Sequence, residues 1–359
     1  MDNKLTYVIT GGCGFLGRHL VYTLIAFEKN IKEIRIYDTY IAEWVYDLSR
    51  QTNIKVVSII GDIRNRYNLD DALQYADVVI HSAAITDVTG NTPKDTIMDV
   101  NVNGTRNVID SCIINGVRVL VYTSSSKVIG PNCKGDPMID GNENTNYNSV
   151  HKEAYPLSKS LAEKYILDSN GSMSSIGTRL YTCSLRPLQI YGEFCPNLEM
   201  IYKKAIKSGT VYKYTSNKAI QSRVYVGNVA WMHLLAVRDL LEKGSNSALH
   251  GDFYYCYDYS PFESYHNFNM YFMKHLGLRI KRLLLPKWTL RVIAYCNKAM
   301  KVILSPIFLY NSLLNPYTLT LKTTAFTVVT DKAFKKFGYV PLYRWEECRN
   351  RTMEWIKSI

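Results

Sequence analysis

The sequence has few features that would hold a metal ion or a disulfide framework. It contains eight cysteines and seven histidines, but no two cysteines stand at C-x-x-C spacing and the histidines form no ligand motif. Paired cysteines at regular spacing are typical of disulfide-stapled secreted domains and of zinc sites. We therefore expect reduced thiols, a reducing compartment and no bound metal.

The sequence also lacks low-complexity tracts, internal repeats and an unbroken apolar run. Its uncharged run Val302–Leu321 is interrupted by two prolines and two asparagines, whereas a membrane-spanning helix needs about 20 predominantly apolar residues. A strand pattern begins within a few residues of Met1, which leaves no room for a signal peptide. These absences predict an ordered globular protein that is synthesised in the cytosol.

Acidic residues are too few to balance the basic ones. The chain has 43 Lys and Arg but 31 Asp and Glu, which gives a formal net charge of +12 at pH 7. Such an excess indicates an anionic partner: nucleic acid, an anionic cofactor or an anionic membrane surface. No helix-turn-helix, zinc-finger or RNP pattern occurs, so we do not expect a nucleic-acid partner.

The N-terminal part contains an apolar run followed by three glycines, YVITGGCGFLG from Tyr7 to Gly17. Gly11, Gly14 and Gly17 allow a strand to turn tightly into a helix, whose N-terminal N–H groups and partial positive charge suit a pyrophosphate. Phe15 and Leu16 fall in the same loop and are expected at the same ligand. The alternative is a strand–turn–helix without a ligand.

Asp38 ends a second strand pattern, IRIYD, 21 residues after Gly17. A carboxylate at this position can accept hydrogen bonds from both hydroxyls of an adenosine ribose. A 2′-phosphate would meet the same charge unfavourably. The sequence therefore predicts NAD as the cofactor rather than NADP.

Two further strand patterns, Val56–Ile63 and Val78–Ala84, flank the helical pattern NLDDALQYA. This alternation predicts an α/β fold of the Rossmann type, with a doubly wound parallel sheet. Asp62 would then lie at a strand end, where it can face the adenine. Ala83 and Ala84 would leave room for the cofactor to cross the sheet, unless they serve only close packing.

The segment Met98–Ile114 predicts a helix in which Asn101 and Thr105 share one face, and we assign Asn101 to the cofactor site. The strand pattern VRVLVYTSSS follows and ends in three serines. Serines at the carboxyl end of a central strand point into the crevice where doubly wound folds bind ligands. The alternative is a turn that is rich in serine.

Tyr155 and Lys159 stand four positions apart in a strong helical pattern, so they share a helix face. Pro156 is acceptable only in a first turn, which places Tyr155 near the helix start. An ammonium and a helix N-terminus both favour the phenolate, so Tyr155 can act as an acid or base near neutral pH. The alternative is a chance match in a chain with 28 tyrosines.

Together, TGGCGFLG, Asp38, SSSKVIGPN and YPLSK resemble the extended short-chain dehydrogenases/reductases. Within that superfamily the sequence resembles the 3β-hydroxysteroid dehydrogenase/Δ5–Δ4 isomerase branch, and a poxvirus-encoded member is expected. Four further stretches carry this resemblance, and the last two are more particular to the steroid branch: Leu185–Glu193, Arg223–Ala230, Gly251–Asn269 and Tyr339–Ile356.

The resemblance implies roles for individual residues. Tyr155 would be the catalytic acid/base, and Lys159 its electrostatic partner and a ligand of the nicotinamide ribose. Ser125 would be the catalytic serine of the S-x-x-V-x-G pattern, with its neighbour Ser124 as second choice. Pro187, within LRPLQIYGE, would contact the cofactor.

One departure concerns the isomerase activity. The vertebrate steroid enzymes carry two adjacent aspartates where this sequence reads Asp258–Tyr259. Ketosteroid isomerisation needs a base that moves a proton from C4 to C6 and a donor to the dienolate oxygen. Asp258 would be that base and Tyr259 a donor; the alternative for Asp258 is a strand-end cap.

Sheet-like runs continue at Tyr181–Tyr191 and Phe253–Asp258, whereas the segments between and after them are helical or irregular. This pattern predicts a second, discontinuous lobe, with the steroid that the resemblance implies bound between the lobes. We expect the cofactor domain to span residues 1–191 and to continue at about 218–260. The substrate lobe would then comprise residues 192–217 and 261–359. Oligomeric state is open, and a homodimer is one possibility that the sequence allows.

The segment Lys287–Leu304 predicts a basic amphipathic helix. Its cations share one face about 80° wide when it is projected at about 100° per residue: Lys287, Arg291, Lys298 and Lys301. Such a helix suits peripheral contact with a membrane interface. The resemblance to the steroid family implies that this membrane is the endoplasmic reticulum, on an otherwise cytoplasmic protein, in the host cell if the protein is viral. The alternative is that it packs on its own lobe.

The function predicted is NAD-dependent oxidation of 3β-hydroxy-Δ5-steroids to 3-ketosteroids, followed by Δ5-to-Δ4 isomerisation. A nucleotide-sugar epimerase or dehydratase of the same fold would use the same Ser125, Tyr155 and Lys159. A non-catalytic NAD-binding regulatory protein is the alternative from another class.

Overall fold

The computed structural model describes residues 4–283, 285–304, 310 and 314–359, so part of the run Val302–Leu321 lies outside the described residues. The strands are β1 Leu5–Thr10, β2 Ile31–Asp38, β3 Lys55–Ile60, β4 Val78–His81, β5 Val119–Thr123, β6 Met138–Gly141, β7 Tyr181–Pro187, β8 Gln189–Tyr191, β9 Thr210–Lys213, β10 Ile220–Gln221, β11 Arg223–Tyr225, β12 Asp252–Cys256, β13 Glu263–Ser264, β14 Arg279–Arg282 and β15 Phe326–Val328.

Helices connect most of these strands. They are α1 Phe15–Phe27, α2 Glu43–Gln51, α3 Arg66–Leu73, α4 Lys94–Met98, α5 Gly104–Ile114, α6 Ala154–Asp168, α7 Pro196–Ser208, α8 Val226–Lys243, α9 Tyr265–Met273, α10 Lys287–Leu304, α11 Pro316–Thr323, α12 Lys332–Phe337 and α13 Trp345–Lys357. A turn of π-helix, Asp99–Asn103, joins α4 to α5. The single helix expected over Met98–Ile114 therefore contains a π-turn.

Seven parallel strands form the central sheet, in the order β12-β7-β5-β4-β1-β2-β3. From β1 the chain first runs outward through β2 and β3, then returns to β4 and continues in the opposite direction. The strand order therefore reverses between β1 and β4, where doubly wound sheets open a crevice at their carboxyl ends. The predicted fold class is confirmed.

The central sheet is buried on both faces, as its apolar strands require. In β1, Tyr7 and Ile9 pack into the core cluster that includes α1 and α8, whereas Val8 packs into the cluster beneath α3, α5 and α6. Successive side chains of a strand point to opposite faces. The run Tyr7–Ile9 is therefore apolar because both faces of the sheet carry helices.

Smaller sheets lie beyond the central one. Strands β13-β10-β15-β6 form a four-stranded sheet, while β8 pairs with β11 and β9 with β14. The sheet-like run expected over Tyr181–Tyr191 is divided at Leu188: β7 belongs to the central sheet, and β8 leaves it to pair with β11. This division brings the start of α7 beside the crevice. The predicted domain boundaries stay predictions.

Candidate active site

The glycine loop after β1 is shaped by two close backbone contacts. Gly11 has φ +70°, and a Cβ atom there would lie 2.7 Å from the Cα of Ala83. A Cβ on Gly17 would lie 2.1 Å from the carbonyl oxygen of Gly11. Gly14 precedes α1 and makes no side-chain cap, so the helix N-terminus faces the crevice with its N–H groups. This cradle fits the pyrophosphate of a dinucleotide.

Asp38 at the end of β2 is tied to this loop. Its Oδ2 accepts a hydrogen bond from the N–H of Cys13 at 3.0 Å, and its Oδ1 accepts one from the N–H of Thr39 at 2.8 Å. Oδ1 also accepts a longer bond of 3.4 Å from the Thr39 hydroxyl, which can rotate away, whereas Oδ2 keeps a second lone pair. The carboxylate can therefore brace the loop and still accept from ribose hydroxyls.

Asp62 lies at the end of the neighbouring strand β3, as predicted, but its carboxylate is already paired. The Arg64 guanidinium donates to both Asp62 oxygens, with a shortest distance of 2.7 Å. The hydrogen bonds from Arg64 lower the pKa of Asp62. The group that an adenine would meet at this end of the crevice is thus an Asp62–Arg64 pair.

Tyr155 is the second residue of α6, and Pro156 follows it in the first turn, as the sequence predicts. Burial raises the pKa of the Tyr155 phenol, and the Ser125 hydroxyl lowers it in part. The sequence instead predicted a phenolate promoted by Lys159. The difference arises because Tyr155 is buried, and burial penalises its charged form.

Lys159 is 2 % exposed, and its Nζ donates to the carbonyl oxygen of Thr123 at 2.6 Å. The same ammonium lies 4.2 Å from the centre of the Tyr122 ring. Burial lowers the pKa of Lys159 to about 7, although the Glu163 carboxylate acts in the opposite direction. The carboxyl end of β5 therefore holds Lys159 in place.

The serine cluster follows β5 directly. The Oγ of Ser125 accepts a hydrogen bond from the N–H of Lys127 at 3.1 Å and begins a short 3-10 turn, Ser126–Val128. The Oγ of Ser124 is buried and has no hydrogen-bond partner among the described residues. Ser125 is therefore oriented by its own turn, while Ser124 has an unused hydroxyl.

One cavity of about 780 Å³ brings most predicted site residues together. It runs along the carboxyl ends of the strands from β3 to β7. The predicted residues that line it are Gly11, Gly14, Phe15, Leu16, Gly17, Asp38, Asp62, Ala83, Ala84, Ser124, Ser125, Tyr155, Lys159 and Pro187. The assigned roles stay predictions, but these residues share one site.

Asn101 does not line this cavity. Its side-chain amide donates to the carbonyl oxygen of Ile85 and to Ser158 Oγ, both at 2.9 Å, and its Oδ1 accepts from the N–H of Ile85. Asn101 is 1 % exposed. We correct its assignment: it joins the loop after β4 to α6 and does not reach the crevice.

Asp258 also lies outside the cavity. Its carboxylate accepts hydrogen bonds from the N–H of Tyr225 at 2.7 Å, from Asn228 Nδ2 at 3.0 Å and from the N–H of Ser260 at 2.9 Å. Burial raises the pKa of Asp258 despite these bonds. The position of Asp258 is that of a structural cap, the alternative interpretation. Tyr259 is 65 % exposed and does not line the cavity either.

Sequence reasoning missed further residues that line the cavity, among them Arg64, Lys127 and Asn197. Lys127 stands inside the quoted motif SSSKVIGPN, so its charge was the available signal. Arg64 follows Asp62 by two positions. An ion pair at this spacing, just after a strand, has no recognisable sequence pattern. Asn197 depends on the division of β7 from β8, which no local pattern indicates.

A second, mainly apolar cavity of about 610 Å³ adjoins the first one, and Asn197 lines both. It lies between α7, α9 and α11. Its apolar lining includes Met200, Ile201, Val211, Met270, Met273 and Leu314. Cavities of this size and character suit small apolar ligands.

No cluster of histidine, cysteine and acidic side chains that could hold a metal ion occurs in the described part of the chain. All eight cysteines are free thiols, six of them buried.

Solved structures share this fold over nearly the whole chain. MoeE5 in complex with UDP-glucose and NAD matches with a TM-score of 0.71 and 18% identity, covering 98% of this chain and 99% of the other. A dTDP-glucose 4,6-dehydratase of Streptomyces venezuelae, DesIV, matches with a TM-score of 0.71 and 16% identity over 99% and 97%. At these identities the likeness concerns the fold.

Sequence relatives are much closer. The human 3 beta-hydroxysteroid dehydrogenase type 7 is 45% identical over 99% of this chain and 96% of its own. The 3 beta-hydroxysteroid dehydrogenase/Delta 5-->4-isomerase of vaccinia virus strain Western Reserve is 40% identical over 98% and 99%. Vertebrate and viral proteins both align, so a poxviral origin stays a prediction. Since the profile of that family also matches residues 8–287, the chain belongs to the 3-beta hydroxysteroid dehydrogenase/isomerase family.

Proposed function

We propose that this protein oxidises the 3β-hydroxyl of Δ5-steroids with NAD and then isomerises the product to the Δ4-3-ketone. The observation that carries the oxidation is the shared cavity: Ser125, Tyr155 and Lys159 line the same crevice as the glycine loop. Family membership supplies the substrate class. The names of both relatives give 3 beta-hydroxysteroid dehydrogenase, and the name of the vaccinia virus relative also gives the Delta 5-->4-isomerase.

The chain's own groups account for the proton that leaves the alcohol. The Ser125 hydroxyl and the Tyr155 phenol line the cavity together, so both can hold the oxygen of a bound alcohol. The phenolate form of Tyr155 then accepts the hydroxyl proton as general base. NAD, when bound, would supply the acceptor for the hydride that leaves C3, the carbon that carries the hydroxyl. Lys159, fixed by Thr123, places a positive charge beside this proton transfer.

Asp38 supports NAD over NADP. Its carboxylate lines the cavity at the end of β2, where Oδ2 keeps a lone pair for one ribose hydroxyl and Oδ1 can accept from the other in place of the long bond from the Thr39 hydroxyl. A 2′-phosphate at the same place would meet a negative charge, and no described cation forms an ion pair with Asp38 that would relieve the repulsion. The neighbouring cation is Arg64, and it already forms an ion pair with Asp62.

The apolar cavity beside Asn197 is the proposed place for the steroid skeleton. Its lining is apolar on most sides and reaches the cofactor crevice. A nucleotide sugar, the substrate of the epimerase or dehydratase alternative, would need cations for its pyrophosphate. Lys204 and Lys322 lie at this cavity, so the alternative requires a direct test.

The test is turnover with purified protein. Pregnenolone and NAD should give NADH absorbance, followed by the absorbance of the conjugated enone. UDP-glucose and dTDP-glucose, assayed in parallel, should give neither a 4-epimer nor a 4-keto product. Absence of NADH with steroid, together with sugar turnover, would replace the proposal by its alternative. Bound NAD without either turnover would favour the regulatory protein.

We also propose that α10 contacts a membrane interface. Leu290 and Ala294 are buried against the body of the protein, whereas Trp288 and Ile303 are 67 % and 66 % exposed. The apolar stripe therefore points outward. No helix among the described residues is long and apolar enough to cross a membrane, so the contact would be peripheral.

The cations of α10 have a different place from the one expected. Lys287, Arg291 and Lys298 line a third cavity of about 760 Å³ that α10 forms with α11 and the residues before α6. Lys301 donates to carbonyl oxygens of the loop that includes Gly90. The apolar stripe, more than the cations, would meet the lipid. Cytoplasmic location, attachment to the endoplasmic reticulum and a homodimer stay predictions.

A further inference from the structure

The isomerisation in the proposed function needs a base, and the position of Asp258 leaves that role unfilled. Asp258 caps the start of α8 through Tyr225 and Asn228 and does not line the cofactor cavity. In the proposed mechanism Ser125 and Tyr155 hold the oxygen of the 3-ketone. The base must therefore reach C4, the carbon next to that ketone. It must therefore lie at the end of the cavity that follows β5.

The titratable groups of the cavity fall into two sets. The first set lies at or just after the ends of β2 and β3, on the far side of the strand reversal, and comprises Tyr37, Asp38, Tyr40, Asp62 and Arg64. The set beside β5 comprises Tyr155, Lys159 and Lys127.

Within the second set, two members are engaged. Tyr155 serves the hydride step, and Lys159 is held by the carbonyl oxygen of Thr123. The ammonium of Lys127 forms no ion pair or side-chain hydrogen bond with another described residue. We propose that Lys127 is the base that moves the proton from C4 to C6 during isomerisation, a role that rests on the proposed steroid oxidation.

The backbone places Lys127 for this task. Its N–H donates to Ser125 Oγ at 3.1 Å, so the lysine and the serine that holds the substrate oxygen belong to one turn. C4 is bonded directly to C3, which bears that oxygen. A side chain that enters the cavity two residues after Ser125 therefore approaches the carbon that must lose a proton.

The surroundings of Lys127 disfavour its charged form. The Arg223 guanidinium is its charged neighbour; it is 2 % exposed and donates to the carbonyl oxygens of Gln221 and Glu263. Burial and, to a smaller extent, Arg223 lower the pKa of Lys127 to about 8. Lysines lowered to about 7–8 are suited to general-base catalysis near neutral pH.

The steps balance without an oxidant. The neutral amine of Lys127 takes a proton from C4: the C4–H bond breaks, an N–H bond forms, and the electron pair passes to the ketone oxygen as a dienolate. Ser125 and Tyr155 donate to that oxygen. The ammonium then returns the proton to C6 as the C5–C6 double bond moves to C4–C5. Lys127 ends neutral.

Assaying the two half-reactions separately tests this role. A Δ5-3-ketosteroid, supplied with NAD bound, reports isomerisation through enone absorbance, and the 3β-alcohol reports oxidation through NADH. In Lys127→Met, isomerase kcat should fall about 100-fold or more, as for loss of a general base, and by a larger factor than the dehydrogenase kcat. Lys127→Arg keeps the charge but cannot act as a base, so it should show the same selective loss.

Chemical rescue distinguishes a base from a structural lysine. Methylamine should restore isomerase activity to Lys127→Ala in proportion to its concentration. Lys29→Ala, which changes an exposed lysine outside the described cavities, should keep both activities and show no response to the amine. NAD affinity and melting temperature of each variant show whether the site is still folded.

Each contrary result has a distinct meaning. Equal losses of both activities, or isomerase activity that survives in Lys127→Arg, would overturn the assignment of the base. A wild-type protein that forms NADH but no enone would overturn it too, while leaving the oxidation in place. A wild-type protein that forms enone from the ketone but no NADH from the alcohol would refute the proposed oxidation, not the base.

Discussion

Asp38 accepts a hydrogen bond from the backbone N–H of Cys13 at 3.0 Å, so the acid that we propose as the ribose ligand also braces the glycine loop. Its substitution therefore has two effects. Loss of the hydrogen bond to the glycine loop should weaken the binding of every dinucleotide. Loss of the negative charge should weaken the binding of NAD alone and remove the repulsion of the 2′-phosphate of NADP.

Asp38→Ala should therefore lower the ratio of NADP to NAD dissociation constants. A hydrogen bond to a charged group contributes about 1.5–3 kcal/mol, so the ratio should change by about 10-fold or more. Equilibrium titration of protein fluorescence with each dinucleotide measures it. Equal weakening of both would leave Asp38 only its bracing role and refute the ribose assignment.

Tyr155→Phe should abolish most hydride transfer without removing the cofactor. In the proposed mechanism the Tyr155 phenolate accepts the proton of the alcohol, so loss of this oxygen should lower the dehydrogenase kcat by about 10²–10⁴-fold. NAD affinity should stay close to wild type, because the ring remains in place. Tyr46→Phe removes a hydroxyl from an exposed tyrosine of α2 and should change neither. A Tyr155→Phe protein with full turnover would remove Tyr155 from the mechanism.

Lys159 should make folding stability depend on pH. Its pKa is about 7 in the folded protein and 10.5 in its unperturbed state. Between these values the unfolded chain binds more protons, so the free energy of unfolding should rise with pH across that window. The lowered pKa of Lys127 also makes the free energy of unfolding rise with pH. The contribution of Lys159 is therefore obtained by comparing the wild type with a variant that lacks this lysine.

The comparison is Lys159→Met, measured by urea unfolding from pH 7 to pH 10. The free energy of unfolding of the wild type minus that of the variant should increase as pH rises, because the variant lacks the buried amine. A difference that stays constant with pH would mean that Lys159 keeps its proton in the folded protein.

The outward stripe of α10 should control binding to lipid vesicles. Trp288→Asp and Ile303→Asp each place a charge where apolar surface would enter the interface, so both should reduce cosedimentation with vesicles that contain anionic lipid. Tyr67→Asp alters an exposed tyrosine on α3 and serves as the control. Wild-type protein that stays in the supernatant would refute the membrane contact.

Local patterns predicted the parts of the site that depend on the chain near each residue. The glycine loop needs only the strand before it and the helix after it, and Tyr155 and Lys159 need only a helix. Asn101 and Asp258 were misjudged because their partners are distant: Asn101 bonds Ser158, 57 residues away, and Asp258 bonds Asn228, 30 residues away. A polar residue that is satisfied by the fold has the same sequence signature as one that waits for a ligand.

The pKa of Tyr155 was misjudged for a related reason. Its position in the first turn of α6 was correct, but the penalty for a buried phenolate depends on how much protein surrounds the ring. That quantity is set by packing across the whole site, and no spacing of residues along the chain reports it.

The bridge through Asn101 has a mechanical consequence. One side-chain amide fastens the loop after β4 at Ile85 to α6 at Ser158, and Ser158 stands beside Lys159 in the same helix. A dinucleotide that presses on Ala83 and Ala84 therefore pushes on the helix that carries Tyr155. We therefore expect that a cofactor-induced shift of this loop also moves the helix of Tyr155, because Asn101 is hydrogen-bonded to both.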